Sequence, residues 1–200
     1  MSTQNKRSTM TLYSADGCPY SHRVKIILAE KGIVADVVTV DLEEKPEELF
    51  ELNPYGQVPT LMGRDLIVYE SDIIFEYIEE RFPHPPLLSV FPIERAETRL
   101  LAKRIDRDWM PLLSQALRGT EDERYRAKIA LVKGLLGMVP IFNRYQCFMS
   151  NEYSIVDCSM AVILHRLPEM GIALPERAKP LMNYAQRLFD RPAFQESLEM

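Results

Sequence analysis

The chain has 200 residues, of which 46% are hydrophobic and 26% are charged, and its net charge at pH 7 is −5. This composition is typical of a globular protein, and no apolar run approaches the length of a membrane span. Residues 1–86 contain 8 Lys and Arg against 15 Asp and Glu, so the first part of the chain is acidic. Because contacts to phosphates need concentrated basic side chains, this balance argues against direct nucleic-acid binding.

Cysteine usage and the N-terminus indicate the compartment. The first residues have no apolar stretch of the kind that forms a signal peptide. The three cysteines, Cys18, Cys147 and Cys158, are too few for a disulfide framework and fit a reducing compartment. We therefore expect a cytoplasmic protein. The cysteines and histidines form no clustered set of three or four metal ligands along the sequence, so no metal site is expected.

The first 82 residues alternate between strand-like and helix-like segments. This order predicts a mixed sheet covered by helices, that is, an α/β domain. The segment Met10–Tyr13 is apolar, and the turn Gly63–Asp65 separates the last two strands as a hairpin would. Strands are predicted near 10–14, 35–42, 59–62 and 66–69, and helices near 21–31, 46–52 and 71–81.

A proline-rich segment, Phe82–Leu88, ends this alternation. Three prolines within four positions cannot continue a helix, so the domain boundary is placed here. The predicted domains are 1–86, of the α/β type, and 93–200, in which apolar residues recur at helical spacing throughout. One long helix is predicted to run through Leu113, and the last helix is predicted to end before Pro192.

Cys18 lies between the first predicted strand and the first predicted helix. A thiol at a helix N-terminus faces unpaired N–H groups and the positive end of the helix dipole, and both favour the thiolate. The thiolate attacks disulfides and glutathione adducts. The alternative interpretation is a half-buried loop cysteine without a chemical role.

Other residues admit both a structural and a functional interpretation. Pro59 begins a strand, either as an ordinary edge proline or in a cis peptide that exposes the Val58 backbone to an extended ligand. Ser71 opens the third helix, where it would be an N-cap or would help bind a ligand carboxylate while Glu70 accepts from an amino group. Lys45 is either a surface lysine or a second contact for a carboxylate.

Five motifs together resemble the cytosolic glutathione S-transferase superfamily. The first of them is most similar to the omega class, in which a cysteine at this place is catalytic. The resemblance covers the whole chain and implies a thioredoxin-like domain, a proline-rich linker and an all-α domain. The motifs are Cys18–Tyr20, Ala29–Gly32, Asn53–Leu61, Tyr69–Ser71 and Ser154–Asp157.

The superfamily resemblance also implies roles for individual residues. Cys18 would form the mixed disulfide with glutathione, and Val58, next to Pro59, would pair with the cysteinyl backbone of that ligand. Glu70 and Ser71 would hold its γ-glutamyl end. The glycyl carboxylate would be approached by Lys45. Glutathione is thus a candidate ligand, and an omega-like thiol transferase is one functional hypothesis.

A second resemblance, to the stringent starvation proteins, competes for the function. These bacterial proteins keep the transferase fold, bind RNA polymerase and alter transcription under stress. They generally lack a cysteine at the thiol position, so Cys18 is a departure that keeps the transferase hypothesis open. The matching motifs are Tyr20–Ile26, Glu79–Leu88, Val90–Ala96, Arg104–Trp109 and Arg166–Ile172.

The starvation-protein resemblance implies a homodimer and ties transcriptional activity to one surface, formed here by Pro83, His84 and Pro85. The alternative for His84 is a solvated linker residue. The first hypothesis is therefore an RNA polymerase-associated regulator that acts by protein contact and requires no cofactor. A third is a structural homologue with an unrelated partner.

Overall fold

A computed structural model describes residues 10–200 of the chain. They divide into two compact units. The first unit consists of residues 10–85 together with Glu196–Met200, and the second unit is Pro86–Gln195. The last five residues, which the sequence analysis includes in the second domain, are thus grouped with the first unit.

The first unit is a four-stranded mixed sheet with helices, as expected of a thioredoxin-like domain. The strand order is β2-β1-β3-β4; β1 and β2 are parallel, and the other neighbouring pairs are antiparallel. The predicted α/β class is therefore confirmed. The strands are β1 (Met10–Ser14), β2 (Ala35–Thr39), β3 (Thr60–Met62) and β4 (Ile67–Tyr69), and the helices are α1 (Pro19–Glu30), α2 (Glu47–Leu52) and α3 (Ser71–Arg81).

The register of the sheet places alternate side chains of β1 in two apolar layers. Leu12 lies opposite Leu61 of β3, and both are fully buried. Tyr13, which points to the other face, packs in a cluster with Val40 and with Leu49 of α2. Both faces of the central strand are thus covered, which fixes the position where its C-terminal end enters α1.

The second unit is helical. α7 is its most buried element, since every residue from Ile155 to Leu164 is buried. A capping box formed by Ser154 and Asp157 begins this helix, as the sequence predicts. None of the helices in residues 10–200 is long and apolar enough to cross a membrane. The remaining helices are α4 (Pro92–Asp108), α5 (Met110–Arg118), α6 (Glu121–Met138), α8 (Lys179–Phe189) and α9 (Pro192–Glu199), with 3-10 turns at Val139–Asn143 and Glu176–Ala178. The last residues of α9, from Glu196, are grouped with the first unit.

Two helix predictions in the second half are wrong, and proline explains both. The single long helix through Leu113 is interrupted at Trp109, because Pro111 has no N–H to donate to the preceding turn. Pro192 begins the additional helix α9, where the sequence analysis expected the helical pattern to end. Proline is well tolerated at the first position of a helix because its missing N–H would have no partner there.

Candidate functional site

Three segments that carry predicted site residues leave the sheet at the same end. β1 ends at Ser14, and β3 begins with Thr60 opposite Tyr13. Thr60 in turn lies opposite Tyr69, the last residue of β4. The segments that follow β1, precede β3 and follow β4 therefore converge. They contain Cys18, Val58 with Pro59, and Glu70 with Ser71.

The fourth predicted segment leaves the sheet in the same direction. β2 runs parallel to β1 over its whole length, so the loop that follows Thr39 leaves at the end where Cys18 lies. Lys45, in that loop, is half-buried. The topology thus brings the loops of all the predicted glutathione residues to one end of the first unit.

Cys18 is the N-cap residue of α1 and is followed by Pro19 as the first helical residue. Its side chain is only 8% exposed and makes no capping hydrogen bond. The thiol sulfur lies 4.0 Å from the backbone carbonyl oxygen of Val58, whose peptide bond to Pro59 is cis, as the sequence suggested. The thiol therefore lies beside the Val58 backbone, which the sequence analysis expects to pair with the cysteinyl backbone of glutathione.

Lys25 supplies positive charge on the same helix. Burial lowers the pKa of its ammonium group, and negative charge at Asp16 and Cys18 opposes that shift. The ammonium is therefore within electrostatic range of the thiol. No local sequence pattern marks Lys25 as part of this site.

Ser71 is not the N-cap residue that one of its two interpretations from sequence expects. Glu70, not Ser71, is the N-cap residue of α3, and neither makes a side-chain capping bond. Glu70 is exposed and has a φ of 65°, a backbone conformation that residues other than glycine rarely adopt. The buried hydroxyl of Ser71 accepts a 2.5 Å hydrogen bond from Arg23 of α1. Ser71 therefore links two helices, and Glu70 is the one that faces solvent.

Tyr13 is not placed to activate a thiol by donating from its hydroxyl. That hydroxyl donates a 2.6 Å hydrogen bond to the carboxylate of Glu48. This bond, burial and the charge of Glu48 together raise the pKa of Tyr13 to about 12. Ser14, the next hydroxyl residue along β1, is fully buried, and its hydroxyl has no hydrogen-bond partner among residues 10–200. Cys18 is thus the better-placed nucleophile.

A second candidate surface follows α3. Pro83, His84 and Pro85 are all exposed, and the peptide bond between His84 and Pro85 is cis. The backbone carbonyl of Pro85 nevertheless accepts a 2.6 Å hydrogen bond from the buried ammonium of Lys31. The rings of this loop face solvent while part of its backbone is held from inside.

Lys31 is in turn paired with Glu79, whose carboxylate lies 2.5 Å from its ammonium. The two side chains are 0% and 4% exposed. Neither residue has a role in the predictions from sequence. Glu79 nevertheless lies four residues after Phe75 and directly after Ile78, both buried positions of α3. That spacing places Glu79 on the apolar face of the helix, and it is the sequence feature from which the burial of Glu79 could have been predicted. Within residues 10–200, no group of three His, Cys, Asp or Glu side chains could hold a metal ion.

This fold, with a thiol at the start of α1 and a cis-proline beside it, defines a protein of the glutathione S-transferase superfamily. The model of the family described as "Glutathione S-transferase, N-terminal domain" matches residues 12–86. Among solved structures, glutathione transferase Omega 3C from Trametes versicolor is similar with a TM-score of 0.80 and 27% identity, over 94% of this chain and 83% of that chain.

Relatives in sequence narrow the assignment within the superfamily. A stringent starvation protein A homolog from Haemophilus influenzae is 47% identical over 198 residues, which is 98% of this chain and 93% of that protein. Glutathione S-transferase omega-2 from Mus musculus is 32% identical over 81% of this chain and 67% of that protein. The chain belongs to the stringent starvation protein A family.

Proposed function

We propose that this protein associates with RNA polymerase in the cytoplasm and regulates transcription during starvation or stress. It acts by protein contact through the Pro83–Pro85 surface, without a catalytic step and without a required cofactor. Family membership and the family resemblance of this loop support the proposal. The observation that carries it is the exposure of all three residues on a loop whose backbone is fixed by Lys31.

The loop has the physical properties of a docking element. Proline rings restrict the backbone, so little conformational entropy is lost when a partner binds. His84 adds a flat ring and polar nitrogens at the exposed position between Pro83 and Pro85. A rigid, exposed element with one aromatic polar side chain suits a protein partner better than a small molecule.

The His84→Ala variant tests the docking surface. Removal of a central contact residue weakens a protein complex by about tenfold or more, and we expect that loss in binding to purified RNA polymerase holoenzyme, together with loss of polymerase-dependent activation. Arg64→Ala, at an exposed hairpin position of the same unit, is the matched control and should bind like the wild type. Wild-type binding and transcription by His84→Ala would show that this surface is not the docking site.

A homodimer is part of the proposal, because the family resemblance implies one. Each unit exposes apolar side chains that support it. In the first unit Ile67, on the edge strand β4, and Ile73 of α3 are 42% and 53% exposed. In the second unit Ile93 and Leu100 of α4 are 75% and 65% exposed. Analytical ultracentrifugation of an Ile73→Glu variant tests the homodimer. We expect the variant to be a monomer. A mass equal to that of the wild type would exclude Ile73 from the dimer interface.

The convergence of the four loops favours a second candidate, a glutathione-dependent thiol transferase. The Cys18 thiolate would attack the glutathione sulfur of a mixed disulfide, release the substrate as a thiol and form a Cys18–glutathione disulfide. A second glutathione thiolate would then attack that disulfide, giving oxidised glutathione and regenerating Cys18. Because Ser21 occupies the position of a second cysteine, no internal disulfide competes.

Deglutathionylation of a model mixed disulfide tests this candidate. Cys18→Ser should lose the activity, since a hydroxyl does not replace a thiolate in disulfide exchange. Cys147→Ser is the control, because its half-buried thiol has a pKa that burial raises to about 11. Undiminished activity in Cys18→Ser would exclude Cys18 as the nucleophile.

A further inference from the structure

One buried ammonium group joins the end of α1 to helix α3 and to the loop that follows α3. Lys31 follows the last residue of α1, and its side chain is fully buried. Its Nζ lies 2.5 Å from the carboxylate of Glu79 and 2.6 Å from the carbonyl oxygen of Pro85. An ammonium has three donors and so can bind both acceptors at once.

A buried ion pair is a costly way to stabilise a fold. Taking two charges out of water offsets much of their attraction, and apolar residues of similar volume often serve stability equally well. Lys31 and Glu79 differ from a simple pair because the ammonium also holds a backbone carbonyl. The carbonyl belongs to Pro85, which is itself an exposed residue.

The composition of the loop explains why a carbonyl is the group that is held. Proline has no backbone N–H, so in the segment Pro83–Pro86 only His84 carries one. The loop therefore has little capacity to be fixed by donating hydrogen bonds. A buried cation that binds the Pro85 carbonyl fixes the loop from below and leaves the rings of Pro83, His84 and Pro85 free to contact a partner.

We propose that Lys31 and Glu79 are positioning residues for docking: Glu79 orients the Lys31 ammonium, and the ammonium holds the Pro83–Pro85 loop in the shape that the partner binds. This inference rests on the proposed function, because it assigns the two residues to the same surface. Neither residue contacts the partner, since both are buried in the first unit.

The test uses the double variant Lys31→Met/Glu79→Leu in the full chain. A single substitution would leave one buried charge without its partner and endanger the fold, whereas the double variant keeps apolar volume. We expect a far-ultraviolet circular dichroism spectrum and a melting temperature close to the wild type. We also expect affinity for RNA polymerase holoenzyme to fall by about tenfold, because the loop is no longer held in the shape that the partner binds.

A local measurement distinguishes loop positioning from a general structural role. The chain has 3 histidines, so ¹⁵N-histidine labelling gives few amide signals. In the double variant the His84 amide signal should shift, while that of His165 in the second unit should stay in place. An unmoved His84 signal would overturn the positioning role.

A mutant cycle combines the double variant Lys31→Met/Glu79→Leu with His84→Ala. If Lys31 and Glu79 act through the loop, they should have little further effect once His84 is removed, so the effects are not additive. Full additivity, or wild-type affinity of the double variant while His84→Ala binds weakly, would overturn the inference and leave the docking surface intact. If His84→Ala itself binds like the wild type, the proposed function fails instead, and the His84 amide signal still decides whether the pair shapes the loop.

Discussion

The buried carboxylate of Asp157 accepts a 2.7 Å hydrogen bond from the hydroxyl of Tyr184, which lies on another helix of the second unit. The same carboxylate accepts backbone N–H bonds of 2.9 Å from Phe148 and from Ser154. Burial raises the pKa of Asp157, and these donors oppose the rise. One side chain thus joins the start of α7 to α8 and to the preceding loop.

Asp157→Ala should therefore strongly destabilise the protein. It removes the capping box, which contributes about 1 kcal/mol, and leaves buried donors at Tyr184 and Phe148, each at a cost of about 1–3 kcal/mol. We expect the free energy of unfolding, measured in urea, to fall by about 3 kcal/mol or more. Asp122→Ala removes an exposed carboxylate of α6 and should change it by less than about 0.5 kcal/mol. Equal effects in the two variants would contradict this role.

Tyr13 should make stability depend on pH in the alkaline range. Its pKa is raised from the ordinary 10.0 to about 12 in the folded state. The Glu48 bond therefore stabilises the fold fully below the unfolded pKa, and this contribution is lost as pH rises from 10.0 towards 12. The difference in unfolding free energy between the wild type and Tyr13→Phe should shrink across that window. Tyr55→Phe, at an exposed tyrosine, is the control for removal of a hydroxyl group.

Two glycines of α6 should respond differently to replacement by alanine. A Cβ at Gly137 would meet nothing within 4 Å, so Gly137→Ala should stabilise the helix by about 0.5–1 kcal/mol through its better helix propensity. A Cβ at Gly134 would lie 3.0 Å from the Trp109 ring. Gly134→Ala should gain less or destabilise, because the ring must move. Thermal unfolding of the two variants is the measurement. An equal rise in melting temperature in both would show that the Trp109 ring moves aside at no cost.

Glutathione binding should depend on Glu70 if the thiol-transferase candidate is correct. Glu70 is exposed at the convergence of the loops and is expected to accept from the amino group of the ligand. Loss of a charge-assisted hydrogen bond costs about 1.5–3 kcal/mol, so Glu70→Gln should weaken binding, measured by calorimetry, by about tenfold or more. Gln keeps the size of the side chain at this unusual φ. Glu80→Gln, at an exposed position near the end of α3, should bind like the wild type.

No binding by the wild type at millimolar glutathione would remove the second candidate and leave docking as the proposed function. Binding unchanged in Glu70→Gln would instead exclude Glu70 as the group that holds the γ-glutamyl end.

Local chemistry made much of the fold predictable. β1, β3 and β4 have short apolar runs with turn residues at their ends, and α3 follows directly after β4. The capping box of α7 was predictable because it involves residues three positions apart. Proline was ambiguous: the sequence does not distinguish a Pro192 that begins a helix from one that follows a helix.

The internal partners of the site were beyond local reasoning. Ser71 looks like a cap from its neighbours, but Arg23 reaches its hydroxyl from 48 residues away. Lys31 and Glu79 are charged residues of types that are normally exposed, and they meet only because α1 and α3 pack side by side. Such contacts depend on how helices are arranged on the sheet, which local sequence patterns do not specify.

The assignment of Glu196–Met200 to the first unit has a consequence for the order in which the protein is built. His22, in the first helix, forms its 3.2 Å contact with Ser197, a residue 175 positions later. A ribosome therefore releases all of the helical unit before the residues that complete the thioredoxin-like unit leave the exit tunnel. The unit whose synthesis begins first is the last to be finished.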